Sequence, residues 1–190
     1  MFVTVTIQTY NHAKTLAITL ESLRILRCPN GSDYEILVVN NNSSDDTADV
    51  IQRYAKILAP RLHSIFESRQ GLSHARNRAL KEAKGEIVCF TDDDVRVDPE
   101  WLIVITEAFK KYDASIVGGR SYLIFPEGMQ KPEWLTERFE KFWSRLDYGD
   151  EVLVGTDKDL YGLNFSILKE AALKVGGFDS NLGRNGKCLI

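Results

Sequence analysis

Three consecutive aspartates, Asp92-Asp93-Asp94, close an apolar run that begins at Glu86, and their type and spacing suggest chemistry. Adjacent like charges repel and raise one another's pKa unless a cation sits among them. Carboxylates on a tight turn hold hard divalent cations such as Mg2+ or Mn2+, which take oxygen ligands and share them with phosphate groups. A cation so placed neutralises the charge that builds up on a departing diphosphate. The triplet is informative because of its company, since a second DxD, Asp157-Lys158-Asp159, also occurs. Three more polar clusters, Thr9-Tyr10-Asn11, Asn40 to Asp46 and Arg69 to Asn77, each follow a short apolar run.

Those runs alternate with helical patterns. Phe2 to Thr9 reads as a strand, with Phe2, Thr4 and Thr6 on one face and Val3, Val5 and Ile7 on the other. A helix follows with Leu16, Leu20 and Leu23 inward. Ile36 to Val39 is continuously apolar, as expected of a parallel strand buried on both faces. A second helix, capped by Ser or Asp, carries Val50, Ile51, Tyr54, Ala55 and Leu58 and stops at Pro60. Leu62 to Glu67 is a third strand and Leu72 to Lys84 a third helix, with Leu72, Ala75, Ala79 and Ala83 facing inward. Glu86 to Thr91 is a fourth strand. Asp98-Pro99 pairs an N-cap with Pro at the first helical position, ahead of Trp101, Leu102, Ile105, Ala108 and Phe109. Ser115 to Ile124 is a fifth strand. This alternation predicts an α/β fold with a mostly parallel central sheet flanked by helices. Ligands of such sheets bind beyond the C-terminal strand ends, so the four polar clusters are expected to converge there.

Beyond Phe125 the pattern loosens. One helical stripe runs through Leu135, Phe139, Phe142 and Leu146; Tyr161 to Ser166 reads as a strand, Leu168 to Val175 as a helix, and Gly176 to Asp179 as a helix stop and turn. Trp134 and Trp143 lie among Lys131, Arg138, Lys141 and Arg145. They are read as a flap packed over the sheet, with contact to a membrane or a lipid-linked acceptor as the alternative.

Several classes are excluded. Against 27 acidic residues the chain has 24 Lys and Arg, for a net charge of -3, which does not suit nucleic-acid binding by bulk electrostatics. No apolar run approaches the roughly 20 residues that span a bilayer, and the first residues lack the pattern of a signal peptide. Cys28, Cys89 and Cys188 are scattered without a CxxC, so neither a disulfide framework nor a structural zinc site is expected, and Cys89 reads as a small core residue. A cytoplasmic setting follows. Gln8 to His12 contains no glycine of a GxGxxG loop, and no GxxxxGK[ST] occurs. His12, His63 and His74 are too dispersed for a metal site. His12 is read as an exposed loop residue, with the edge of a donor pocket as the alternative.

EILVVNNNSSDDT (residues 35–47), RQGLSHARNRAL (69–80), FTDDDVRVDPEWL (90–102) and GGFD (176–179) together resemble the family 2 glycosyltransferases of GT-A fold. The resemblance covers nearly the whole chain. It implies an inverting transfer from a nucleoside-diphosphate sugar, UDP- or GDP-linked, assisted by Mn2+ or Mg2+. It also implies a peripheral place at the inner membrane and a glycan or lipid-linked acceptor. On this reading residues 1–125 form the nucleotide-binding half and 126–190 the acceptor side of a single GT-A-like domain. Carried over by position, Thr9 and Asn11 contact the nucleotide, Asn40 stands where the family usually has a base-reading Asp, and Arg76 lies near base and phosphates. Asp92 and Asp93 lie near ribose and metal, and Asp94, with Asp92, holds the metal. Gly162-Leu163-Asn164 resembles the acceptor-side Gly-Ala-Asn, placing Gly162 and Asn164 beside the acceptor.

The family's general base, a carboxylate shortly beyond GGFD, has no counterpart, because Asn181 to Ile190 contains neither Asp nor Glu. Asp179 reads as a turn residue. The chain is therefore expected to be truncated at its C-terminal end, with the catalytic base unassigned. The alternative function is a catalytically impaired fragment that binds the nucleotide sugar. A nucleotidyltransferase, the third reading, would show a Gly-rich basic loop where Gln8 to Lys14 has none.

Overall fold

A computed structural model of the chain describes residues 1–155, 158–185 and 188–189. Asp157 of the second DxD and Ile190 lie outside the described residues. The elements alternate as β1 (Phe2–Thr9), α1 (Ala13–Ser22), β2 (Asp33–Asn40), α2 (Thr47–Ile57), β3 (Leu62–Phe66), α3 (Leu72–Glu82), β4 (Ile87–Thr91) and α4 (Trp101–Tyr112). They continue with β5 (Ile116–Gly118), α5 (Glu137–Glu140), β6 (Phe165–Leu168), α6 (Lys169–Lys174) and a small hairpin of β7 (Arg184–Asn185) and β8 (Cys188–Leu189). One six-stranded sheet has the order β3-β2-β1-β4-β6-β5. β1 to β4 are mutually parallel, and β6 runs antiparallel to both β4 and β5.

The two faces of β1 explain the two helical layers. Val3, Val5 and Ile7 join Ile36, Val38, Ile87 and Cys89 beneath α1, α2 and α4, against Leu16, Leu20, Ile51, Tyr54, Leu102 and Phe109. On the other face Leu37, Val39, Val88, Phe90 and Ile167 meet α3 and α6. α3 and its C-cap offer Ala75, Ala79 and Ala83 there, small side chains that let the backbone approach the strands closely. Each fully buried Leu, Ile or Phe contributes about 1.5–3 kcal/mol by leaving water. Cys89 is fully buried opposite Ser166 of β6, and burial pushes its thiol up to about 12, which leaves it an inert core residue.

One group of buried polar side chains is tightly paired. Glu35 is buried, accepts from the Thr4 hydroxyl at 2.8 Å and the Lys84 amide at 2.8 Å, and lies 3.5 Å from the Lys84 ammonium. The Gly85 amide in turn donates to Thr4 Oγ1 at 2.9 Å. This hub fixes the entry to β4 at the end of the sheet opposite the polar clusters.

Five expectations need correction. α4 begins at Trp101, not at Pro99: Asp98 caps the preceding turn, accepting from the Glu100 amide at 2.8 Å. The fifth strand keeps only Ile116–Gly118, and the strand read at Tyr161 to Ser166 lies at Phe165–Leu168, because pairing with β4 and β5 sets its limits. The stripe from Leu135 to Leu146 is not one helix. α5 is a single turn followed by a 3-10 turn at Lys141–Trp143, and Leu135 and Leu146 are buried while Phe139 and Phe142 face solvent. Finally, Trp134 and Trp143 are each 62% exposed rather than packed on the sheet. The segment is held instead by Glu140, a buried carboxylate paired with Lys131 and, at 3.2 Å, with Arg145.

Gly85 leaves no room for a side chain, since a Cβ would stand 2.7 Å from the Val3 carbonyl carbon and 2.8 Å from the Ile87 oxygen. Gly85→Ala should therefore destabilise the fold by about 1–3 kcal/mol, measured by urea unfolding; an unchanged midpoint would show that the β1–β4 contact yields freely.

Candidate functional site

Parallel register brings the clusters together. Thr9 is level with Asn40, Asn40 with Phe66, and Ile7 with Thr91, so Asp92 and Asp93 emerge beside Gln8 and Thr9. Three loops are then laced to one another. Asn11, at a positive φ of 53°, accepts through Oδ1 from the Ser44 amide at 2.7 Å, and its own amide donates to Ser43 Oγ at 3.0 Å. Asp45 accepts from the Ala13 amide at 3.1 Å and from Thr47, which ties the starts of α1 and α2 together. These bonds hold the Asp45 carboxyl below its ordinary range against the opposing effect of partial burial.

Asn41 is the strut that the sequence did not single out. It is buried; its amide donates to the carbonyls of Glu67 at 3.1 Å and Arg69 at 2.7 Å, and its Oδ1 accepts from the Gly71 amide at 2.9 Å. It thereby fixes the loop that opens α3. Glu67, also buried and also overlooked, grips the Arg69 guanidinium at 2.9 and 3.2 Å, and that bond lowers its pKa. A run of polar residues carries no period that would separate such struts from ligand contacts.

The aspartates divide their roles. Asp93 is buried, and His12 Nδ1 lies 3.0 Å from its Oδ1. Burial raises the Asp93 pKa, while His12 lowers it, as does the neighbouring Thr9 hydroxyl, which is buried and outside hydrogen-bonding geometry. The same bond raises the pKa of His12, which is 53% exposed at the side chain. His12 is thus an exposed loop residue and a neighbour of the triplet at once. Asp94 points to solvent. Asp92 is half-buried, makes no hydrogen bond or close ion pair among the described residues, and burial pushes its carboxyl up to about 6, opposed by Arg76 and reinforced by Asp94 and Asp93.

Arg76 reaches the same edge from α3. Its guanidinium lies 5.5 Å from the ring centroids of Phe165 and Phe178 and 5.8 Å from Phe90, an arrangement that favours a cation over ring faces. Nη2 donates to the Gly162 carbonyl at 3.4 Å, whereas Nε is buried without a partner among the described residues. A Cβ on Gly162 would collide with Nη2, so this glycine is what admits the arginine. Asn164 stands nearby with its amide engaged: Oδ1 accepts from Trp101 Nε1 and Nδ2 donates to the Arg120 carbonyl, both at 2.8 Å. In the GGFD turn, Phe178 fills the aromatic cluster, and Asp179 accepts from Asn181 at 2.9 and 3.0 Å, a turn function as expected.

The structure therefore groups Thr9, Arg76, Asp92, Asp93 and Asp94 at one edge, with Asn40 at the end of β2. Asn40 Oδ1 accepts from the Ser43 amide at 3.0 Å. Among the described residues no three His, Cys, Asp or Glu side chains form a ready metal cage. The carboxylates of Asp92 and Asp94 are nevertheless hard oxygen donors, and the unbalanced charge on Asp92 suits a cation shared with phosphate and water.

Comparison with known proteins agrees with this architecture. The sequence model for glycosyl transferase family 2 matches residues 4–174. A glucosyl-dolichyl phosphate glucuronosyltransferase of Haloferax volcanii is 29% identical over 184 residues, covering 90% of this chain and 50% of that protein. Residues 1–349 of TarS from S. aureus superpose with a TM-score of 0.71 at 22% identity, over 97% of this chain and 52% of that one. The mannosyltransferase PcManGT of Pyrobaculum calidifontis, solved with GDP-Man and Mn2+, gives 0.70 at 23% identity, over 96% and 49%. The fold is thus of GT-A type. The chain spans about half the length of the curated relatives it matches.

Asp92 gives a test of these electrostatics that needs no ligand. Its folded pKa exceeds the unfolded value, so the folded state binds the extra proton between about pH 4 and 6 and loses stability as pH rises through that window. Asp92→Asn should raise stability by about 1–2 kcal/mol at pH 7.5 and by almost nothing near pH 4, read from urea unfolding at both values. An equal effect at both would refute the assignment.

Proposed function

The chain belongs to glycosyl transferase family 2, and on that premise we propose that it binds a nucleoside-diphosphate sugar and transfers the sugar to an acceptor hydroxyl with inversion. The observation that carries this reading is the convergence of Asp92, Asp94 and Arg76 at one sheet edge, two oxygen donors for a hard cation beside a guanidinium suited to phosphate. Mn2+ or Mg2+, held by Asp92 and Asp94, would supply the charge that stabilises a leaving diphosphate.

The chain's own residues do the rest. Arg76, fixed by its aromatic cluster, presents a pre-oriented charge to the diphosphate, the kind of group that needs no reorganisation as charge develops. The Thr9 hydroxyl, buried beside Asp93, has no partner in hydrogen-bonding geometry among the described residues, and on this reading it is offered to the nucleoside. Asn40, with Oδ1 taken by Ser43, offers its amide N–H to a base carbonyl, where a carboxylate would accept a base N–H. Asn11 shapes the floor through its bonds to Ser43 and Ser44, and Asp93 does so through His12. Gly162 and Asn164 form the acceptor-side wall, Asn164 by bracing Trp101 rather than by a free amide.

The nucleotide sugar is supported by relatives of the same fold: PcManGT holds GDP-Man with Mn2+, and TarS holds UDP and UDP-GlcNAc. A lipid-linked acceptor at a membrane surface is supported by the Haloferax relative, a glucosyl-dolichyl phosphate glucuronosyltransferase, and by the exposed rings of Trp134, Phe142 and Trp143. No helix among the described residues is long and apolar enough to cross a membrane. Displacement with inversion needs a base for the acceptor proton, worth roughly 10²–10⁴-fold in rate. Asp179 is occupied in its own turn. That observation favours a second reading, in which these 190 residues bind the donor but transfer poorly.

Calorimetric titration of UDP and GDP, each with Mn2+ and with chelator, tests the proposal. One nucleotide should bind only with metal, and Asp94→Ala should weaken it at least about ten-fold. Binding indifferent to chelator and to the substitution would remove the metal from the scheme. Rapid sugar transfer by the unaltered chain would remove the impaired-transfer reading.

A further inference from the structure

Past the GGFD turn the chain doubles back along α3. Gly177, at φ 76°, leaves the space that Asn77 needs, since a Cβ there would stand 2.5 Å from Asn77 Oδ1. Asn77 then clamps the Phe178 backbone from both sides, accepting from its amide at 2.8 Å and donating to its carbonyl at 2.7 Å. One turn nearer the start of α3, the Ser73 hydroxyl donates to the Leu182 carbonyl at 2.6 Å. Gly183, at φ 106°, passes close over Ser73 Oγ, and the Arg184 carbonyl comes beside Gly71. Residues 77, 73 and 71 are thus met in turn by 178, 182 and 184. Because α3 starts where β3 ends, this antiparallel path runs from the middle of the helix to the ligand edge of the sheet.

Arg184 is what the path delivers. Its side chain is exposed and makes no hydrogen bond or ion pair among the described residues, and it lies beyond the residues matched by the family model. Its charge acts favourably on Asp92. Arg76 is locked among three rings with one Nη2 bond to Gly162, so it cannot follow a ligand, whereas Arg184 sits at the end of a tethered strap with its side chain exposed. A site with three carboxylates that receives a diphosphate gathers further negative charge, which one buried guanidinium does not offset.

We propose that Arg184 is a second diphosphate-binding residue, carried to the mouth of the site by the return of residues 178–184 along α3. It pairs its guanidinium with phosphate oxygens on the side of the donor facing away from Arg76. Paired N–H donors in a planar fork suit that task better than an ammonium. The inference rests on the nucleotide-sugar reading above and adds a residue to it.

The test compares Arg184→Gln and Arg184→Lys with the unaltered 190-residue chain, titrating the nucleoside diphosphate and the monophosphate of the same base with Mn2+ present. Arg184→Gln should weaken the diphosphate about ten-fold and the monophosphate less than about two-fold, and Lys should recover part of the loss. The melting temperature should not move, because the side chain is exposed. Equal weakening of both nucleotides, or no change in either, would overturn the role of Arg184 while leaving donor binding intact. Failure of the unaltered chain to bind either diphosphate would overturn the donor reading and this inference together.

Discussion

Crowding of like charge in the turn after β4 is the constraint around which the ligand edge is arranged. Two carboxylates about 5 Å apart repel by about 3 kcal/mol even at an effective dielectric near 20. The fold answers differently for each. Asp93 turns back to His12 and becomes part of the floor. Asp94 stays in water. Asp92 has, among the described residues, no partner closer than the fields of Arg76 and Arg184, and its pKa is raised first by burial and then by Asp94 and Asp93. Lacing of the first two loops by Asn11 and Asp45, and of the third by Asn41, keeps the floor from relaxing away from that charge. On the function proposed above, an incoming cation would relieve this unfavourable charge, and its cost to the protein would become affinity for the ligand.

Much of this was legible in the order of residues. β1 has the limits expected from its alternation, and β2 to β4 and their helices appear where apolar runs and helical stripes place them. Local patterning suffices there because β1, β2 and β4 are buried on both faces, while the edge strand β3 and each helix have one face to bury. The shared edge followed from topology alone. Its inner division of labour did not: Asn41 and Asn40 are neighbours of the same type, yet one is a buried strut and the other stands at the end of β2, and only contacts across the fold distinguish them. Asn164 is similar. Its type suits a ligand contact, but Trp101, far away in sequence, has claimed its oxygen.

The segment between β5 and β6 was the least legible, and for a physical reason. Its stripe of Leu135, Phe139, Phe142 and Leu146 has helical spacing, but helix length depends on a partner for the whole stripe. Here Leu135 and Leu146 find cover and the two phenylalanines do not. The segment is organised by an electrostatic knot, Glu140 between Lys131 and Arg145, with the bridge between Ser121 and Leu146 closing its base. Charged knots leave no hydrophobic period to read.

Strand order has a consequence for how the protein is made. β1 to β4 complete their parallel pairing by residue 91, but the far side of β4 is covered only by β6, at Phe165–Leu168. A ribosome needs roughly 4–15 s to synthesise residues 92–164 at about 5–20 residues per second. Throughout that interval a fully apolar strand, Ile87 to Phe90, presents its unpaired backbone groups as an open edge. Exposed edges of this composition recruit other strands. The nascent chain is therefore exposed to misassembly for a period set by connectivity, and any cut between β4 and β6 would make that exposure permanent.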